Sequence, residues 1–322
     1  MPFLTEPEPA RGIALDVLPG IRRVVARNPS VMTYFGTNTY LIDGADGLSV
    51  LDPGPADETH IADVIRATAG VPVRRIILTH SHSDHLGATA GLKAATGATV
   101  YAYHTPIKRS FIPDVRLDDG DEVAGLRALF TPGHAGDHLA FGYNAPGTGE
   151  ILFSGDHVMS WSSSIVSPPE GDMVAYYRGL ELLLGRQEVF YLPGHGPLLP
   201  RPRELVRELL EHRQHREATI LAALQTHEQS VAELAEHLYA KTDFRLKIAA
   251  QRNVLAHLLK LAHEGKVIAV KDQTPEPAFV ANGPQGQEYQ QDQAASDDIM
   301  VVTPGEIAMY LRDAARRFAV AA

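Results

Sequence analysis

The chain has 322 residues, 44% hydrophobic and 21% charged, with a net charge of −10 and no cysteine. That length and balance suit one large α/β domain or two smaller ones with a sizeable core. The missing thiols exclude disulfides and thiolate metal ligands, and the acidic balance argues against an extended phosphate-binding surface. No apolar run approaches the ~20 residues that cross a bilayer, and "MPFLTEPEPARG" has neither the basic nor the apolar segment of a signal peptide, so a cytoplasmic protein with no membrane partner is expected.

Through about residue 200, strand-like runs such as "TYLID", "LSVLD", "RRIILTH", "ATVYAY", "EILFSGD" and "VFYLPGHG" alternate with helical patterns, an α/β rhythm. Glu58 to Thr68 reads as an amphipathic helix with Ile61, Val64 and Ile65 on one side, and Gly87 to Thr96 as a second, Ala-rich helix. At "LLPRPRELVRELLEHRQHREATILAALQ" two prolines precede a long helical pattern and strands disappear, which places a domain boundary near Pro200. Ser230 with Glu233 forms a capping box, "IAAQRNVLAHLLKLAHEG" gives a helix ending at Gly265, and "KVIAV" gives a short strand, together suggesting a winged-helix module. The expected divisions are thus a catalytic domain over 1–200, a winged-helix-like domain over 201–272, a Gln-, Asp- and Pro-rich linker over 273–299 and a C-terminal helix over 300–322. That last helix, with Ile307, Tyr310, Leu311 and Phe318 on its apolar side, could dock on its own chain or join two copies as a homo-oligomer.

Within "LTHSHSDHLGA", His80, His82, Asp84 and His85 follow a strand signal and so belong on the loop at its C-terminal end, where α/β proteins place their sites. Imidazole is the commonest ligand for zinc-like ions; His80 and His82 can converge on one ion while Asp84 and His85 turn toward another. Four residues cannot complete two coordination spheres. His134 in "FTPGHAGDH", Asp156 in "ILFSGDH" and His195 in "YLPGHGP" each follow an apolar run and are flanked by glycines, supplying the missing candidates at equivalent strand ends.

This ordered set, "HSHSDH" with "GH", "SGD" and "PGHG", resembles the metallo-β-lactamase superfamily over residues from about 20 to 200. "GTNTYLI" and "HLLKLAHEGKV" extend the likeness, to about residue 271, toward the subgroup with a C-terminal winged helix whose animal members are called β-lactamase-like protein 2. The resemblance implies an αββα sandwich and a dinuclear centre. His80, His82 and His134 would bind the first metal, Asp84, His85 and His195 the second, and Asp156 would bridge them; zinc is the expected ion, with manganese or iron as alternatives. Two divalent ions about 3.5–4 Å apart bring a bridging water toward hydroxide at neutral pH, and Asp84 could orient that nucleophile. One lactam-hydrolysing branch carries cysteine where Asp156 stands here, so the resemblance points to branches acting on esters, thioesters and phosphodiesters.

Two substrate readings compete. Lys241 to Lys271 holds seven Lys or Arg against two acidic residues, which with the winged-helix likeness leans the reading toward an endoribonuclease on single-stranded RNA. The alternative is a small-molecule ester or thioester hydrolase of the glyoxalase II type, although no basic and aromatic glutathione contacts are identifiable near the C-terminus. A non-catalytic scaffold would be marked by lost ligands, and all seven positions are filled. Trp161 and Ser162 on the loop Met159 to Met173, and Tyr34 on the turn before "GTNTYLI", are candidate substrate contacts. By the same resemblance Asp52 is expected to support the metal loops, while His138 and His157, close behind the candidate ligands, are expected to hydrogen-bond to them or to sit on a solvated loop rather than to bind metal.

Overall fold

The computed structural model describes residues 3–241, 243–270 and 317–320. Seven strands, β1 (Leu15–Leu18), β2 (Ile21–Val25), β3 (Asn38–Gly44), β4 (Gly47–Leu51), β5 (Val73–Ile77), β6 (Thr99–Tyr103) and β7 (Val115–Leu117), lie side by side in chain order. A second sheet holds β8 (Glu122–Val123), β9 (Leu126–Phe130), β10 (Leu139–Ala145), β11 (Gly149–Gly155), β12 (Phe190–Pro193) and β13 (Leu199–Pro200), again in chain order.

Alternation along these strands builds three layers of core. Tyr40, Ile42, Ile77, Phe141, Ile151 and Phe153 point between the sheets, while their neighbours Leu41, Ile76, Ala140 and Leu152 point outward to helices. On the first sheet's outer face lie α1 (Glu58–Ala67), α2 (Ser83–Leu86) and α3 (Thr89–Thr96), with Val64 and Leu92 entering the core. On the second lies α4 (Met173–Leu184), through Tyr176, Leu180 and Leu183. The layers are therefore α, β, β, α, as the resemblance implies. Each large apolar side chain buried this way contributes about 1.5–3 kcal/mol.

Two helices differ from their sequence patterns. α1 buries His60, Asp63 and Val64 and leaves Ile65 39% exposed, because Asp63 accepts from Arg27 and Arg66, and His60 Nε2 meets Thr39 Oγ1 at 2.9 Å. Partnered polar groups take the face that periodicity gave to isoleucine. The Ala-rich helix starts earlier and is interrupted: the Gly54 turn uses the backbone of both His85 (Gly54 N to His85 O, 3.1 Å) and Ala88 (Ala88 N to Gly54 O, 2.8 Å), separating α2 from α3.

After the second sheet, α5 (Pro202–Leu224) starts with proline in its first turn and serves two cores. Leu205, Val206 and Leu209 pack on the sandwich, whereas Ile220 and Leu224 pack with α6 (Val231–Leu238) and α7 (Lys247–His263). α6 carries the expected Ser230–Glu233 capping box. A three-stranded sheet joins β14 (Gln229–Ser230), β15 (Val267–Val270) and β16 (Arg317–Val320), with β16 in the middle. Over 317–320 the expected C-terminal helix is corrected: Phe318 lies on β16, paired with Gln229 and Ala269, because backbone hydrogen bonds to two strands fix this short run in extended form. The linker at 273–299, and Ile307, Tyr310 and Leu311 with the oligomer contact assigned to them, lie outside the described residues.

Candidate metal centre

Strand ends aim the site. β5 runs into His80 to His85, β9 into the turn bearing His134, β11 into Asp156 and β12 into His195. The seven side chains meet. His82 Nδ1 lies 2.9 Å from His80 Nε2 and 3.0 Å from His134 Nε2. Asp84 Oδ2 is 3.2 Å from His195 Nε2 and 3.5 Å from His85 Nε2. Asp156 stands between the groups, with Oδ2 at 3.6 Å from His134 Nε2 and 3.4 Å from His195 Nε2, and Oδ1 at 3.5 Å from His85 Nε2.

Ligands about 2.0–2.1 Å from a tetrahedral ion are separated by about 3.3 Å, so these spacings suit donors around cations. His85 Nε2 and Asp156 Oδ1 are buried without a hydrogen-bond partner and face into the cluster, a costly arrangement unless a cation takes their lone pairs. The donor set fits divalent ions.

Protonation divides the donors: burial disfavours charge on His82 and His85, yet Glu170 and Asp84 raise the first, and Asp84, Asp156 and Asp52 raise the second, above the ordinary imidazole value. Burial, reinforced by the imidazoles of His85 and His82, pushes His80 well below the ordinary imidazole range; burial and His82 lower His134 to about 4. Burial opposes charge on Asp84 and Asp156 as well, yet the His85 and His195 imidazoles hold both well below the carboxylate range. Burial disfavours protonated His195, but Asp156 and Asp84 outweigh it and raise the group to about 9, so in the metal-free chain a proton occupies part of the cationic role.

Backbone and neighbours fix the donors. Asp52 accepts from Thr79 N at 2.8 Å and Thr79 Oγ1 at 2.8 Å and sits 2.9 Å from His85 Nδ1, the supporting place expected for it. His138 Nε2 accepts from Asp156 N, whereas His157 is fully buried against Tyr176 without a hydrogen bond to either ring nitrogen. The "GTN" turn holds the last ligand loop: Asn38 Nδ2 donates to Pro193 O and Gly196 O, and Gly36 O faces His195 Nδ1 at 3.3 Å. Gly36 has φ +134°, and a Cβ there would lie 2.1 Å from Ala26 O; at Gly194 a Cβ would lie 2.4 Å from Asp156 Oδ1. Both positions require glycine.

A cavity of about 660 Å³ opens on the cluster. Met159, Trp161, Ser162 and Ile165 form one wall, Leu246, Ala249 and Arg252 of the C-terminal unit form another, and Lys108 and Arg109 lie on a third side. Trp161 and Ser162 therefore line the cavity that opens on the cluster. Tyr34 is set back: its ring lies 5.1 Å from that of Trp161 and its hydroxyl bonds to the Glu6 backbone. The sequence does not single out Asp137, which accepts from Ser81 N and Ile107 N, or Glu170, whose Oε2 lies 3.4 Å from His82 Nε2. An acidic residue beside "GH" and one at the end of the Trp161 loop were the available signals.

Three of the seven basic side chains counted in the segment Lys241 to Lys271 are ion-paired. Arg245 pairs with Asp243, Lys260 with Glu217 and Glu264, and Lys266 with Glu264. No helix among the described residues is long and apolar enough to cross a membrane.

The metallo-β-lactamase superfamily pattern matches residues 32–221, and the pattern of the β-lactamase-associated winged helix domain matches 230–274. A β-lactamase-like protein 2 homolog of Caenorhabditis elegans is 29% identical over 282 residues, covering 83% of this chain and 91% of the relative. An atrochrysone carboxyl ACP thioesterase of Aspergillus fumigatus is 31% identical over 219 residues, covering 66% and 67%. A β-lactamase domain protein from Burkholderia ambifaria superposes with a TM-score of 0.73 at 22% identity, over 82% of this chain and 92% of that one, a likeness of fold. With its two sheets, its strand-end donors and a family pattern spanning more than half its length, the chain belongs to the metallo-β-lactamase superfamily of hydrolases.

Proposed function

We propose that this hydrolase cleaves acyl thioesters, with His80, His82 and His134 holding one divalent cation, Asp84, His85 and His195 a second, and Asp156 bridging. Zinc, manganese and iron all suit such ligands. The carrying observation is the character of the cavity beside the cluster: Met159, Trp161, Ile165, Leu246 and Ala249 offer an acyl chain an apolar seat. Within the basic segment that favours RNA, Arg245, Lys260 and Lys266 are paired with Asp243, Glu217 and Glu264, which reduces the charge it offers to a phosphate backbone. The thioesterase name of the Aspergillus fumigatus relative supports the same reading.

When bound, a pair of divalent ions supplies Lewis acidity for the carbonyl and lowers the pKa of water at the site. Asp84, kept ionised beside His195, accepts a hydrogen bond from the attacking water and orients it. Water oxygen adds to the carbonyl carbon, the carbon–sulfur bond breaks, and the water's proton passes through Asp84 toward the departing sulfur. Trp161 excludes bulk water from the acyl chain, and Ser162 offers a hydroxyl to its polar atoms.

The test gives metal-loaded protein a panel of acyl thioesters and a fluorescent single-stranded RNA, with Asp84→Ala beside it. Thioester turnover that disappears in Asp84→Ala is expected. RNA cleavage that tracks Asp84 while thioesters survive untouched would overturn the reading in favour of an endoribonuclease.

A further inference from the structure

His134 reaches the cluster through Nε2, and its other nitrogen, Nδ1, lies 2.7 Å from the carbonyl oxygen of Ile165. With Nδ1–H donating there, the Nε2 lone pair is left for the site. What holds Ile165 comes from elsewhere in the chain. The preceding carbonyl, Ser164 O, accepts from Arg213 Nη2, and the following amide, Val166 N, donates to Asn253 Oδ1 at 3.1 Å. Arg213 Nη1 donates to that same Oδ1 at 3.1 Å, so the two side chains form one clamp around Ile165.

Arg213 is 2% exposed and Asn253 8%. Burying a guanidinium is costly unless its N–H groups find acceptors, and those found here are the Ser164 carbonyl and the Asn253 amide. Arg213 comes from α5 and Asn253 from α7, the helix that packs in the C-terminal core. The peptide groups on both sides of Ile165 are thus held by α5 and α7, with Asn253 of α7 bonded to both Val166 N and Arg213.

We propose that Arg213 and Asn253 are positioning residues that set the orientation of His134 and thereby make the affinity of the three-histidine site depend on the docked C-terminal unit. The winged helix then serves the metal centre as a buttress. This rests on the proposed ligand assignment, not on the thioester substrate.

The test titrates the metal-stripped full-length chain with zinc by calorimetry, comparing the parent with Asn253→Leu, which keeps volume but has no acceptor, and Asn253→Asp, which keeps the acceptor. Loss of a group that orients a ligand costs 10–100-fold in metal affinity, and a clamp one bond further out should lie at the low end. One of two zinc ions should bind about tenfold more weakly in Asn253→Leu, the other should be unchanged, and Asn253→Asp should restore both. General loosening of the fold would weaken both ions. Parent-like binding in Asn253→Leu overturns the proposal, and a parent that takes up no zinc removes the metal centre with it. If Asn253→Leu does not fold, Arg213→Lys, which keeps the charge but loses the two-armed donor, should give the same one-site loss; parent-like binding there overturns the clamp.

Discussion

In the cleft, His82 Nδ1 lies within 3.0 Å of two other imidazole nitrogens, and Asp84 and Asp156 share that small volume. Between α5 and α7, Glu217 Oε1 lies 3.2 Å from His257 Nδ1 and Glu217 Oε2 2.9 Å from Lys260 Nζ, with Glu264 also on Lys260. Both clusters bury charge, but their atoms are matched differently. Donors meet acceptors between the helices, with His257 Nδ1 and Lys260 Nζ both on Glu217, although His257 Nε2 stays buried without a partner. In the cleft, groups that all offer lone pairs converge, which requires protons or metal cations to hold them together. Buried charge alone therefore does not mark a site; the pairing of atom types does.

Asp156→Asn should separate the two clusters most strongly. Its loss of charge between the two donor groups should lower hydrolysis by about 10³-fold, with metal content falling below two ions per chain. Turnover and elemental analysis measure this; a variant keeping both would make the cleft no different from the interhelical network. Glu217→Gln should do the reverse, costing about 3 kcal/mol of stability in urea unfolding with metal content unchanged. That is the low end for breaking a buried ion pair, because Glu264 still faces Lys260.

The convergence of these donors was legible because His80, His134, Asp156 and His195 each follow an apolar run, the last three beside a glycine turn. The sandwich was legible through alternation in runs such as "TYLID" and "EILFSG". What stayed hidden depends on distant pairing. Arg213 meets Ser164 across 49 residues and Asn253 meets Val166 across 87, and neither side chain has a local pattern that reveals its partner. The face of α1 misled for a related reason, since Asp63 is buried by Arg27 from another strand's end. Phe318 misled because a run as short as Arg317–Val320 fits helix and strand equally until neighbours supply a ladder.

Acid should strain the interhelical cluster. Burial lowers His257 from 6.5 to about 4 although Glu217 opposes the shift. The folded chain therefore refuses a proton that the unfolded chain accepts, so stability is complete above pH 6.5 and falls as pH drops toward 4. The loss reaches roughly 3 kcal/mol at the lower end. His60, lowered to about 4 by burial, adds a slope of the same sign, so the comparison is between parent and His257→Gln. Urea unfolding at pH 7, 5.5 and 4.5 should show a shallower decline in the variant. Equal slopes would mean that His257 keeps its ordinary proton affinity inside the fold.

Glu170 tests the boundary between the two kinds of cluster, because it is a carboxylate beside a candidate ligand yet partly open to solvent. Its Oε2 lies 3.4 Å from His82 Nε2, the nitrogen turned away from the other imidazoles, and its side chain is 40% exposed. A carboxylate there makes the imidazole a better donor, but solvent screening weakens the effect. Glu170→Gln should keep the contact and lose the charge, weakening zinc at one site by about tenfold or less in competition with a chelator. A loss as large as that of Asp156→Asn would mean that Glu170 itself reaches the cation, and the three-histidine site would then be a four-residue one.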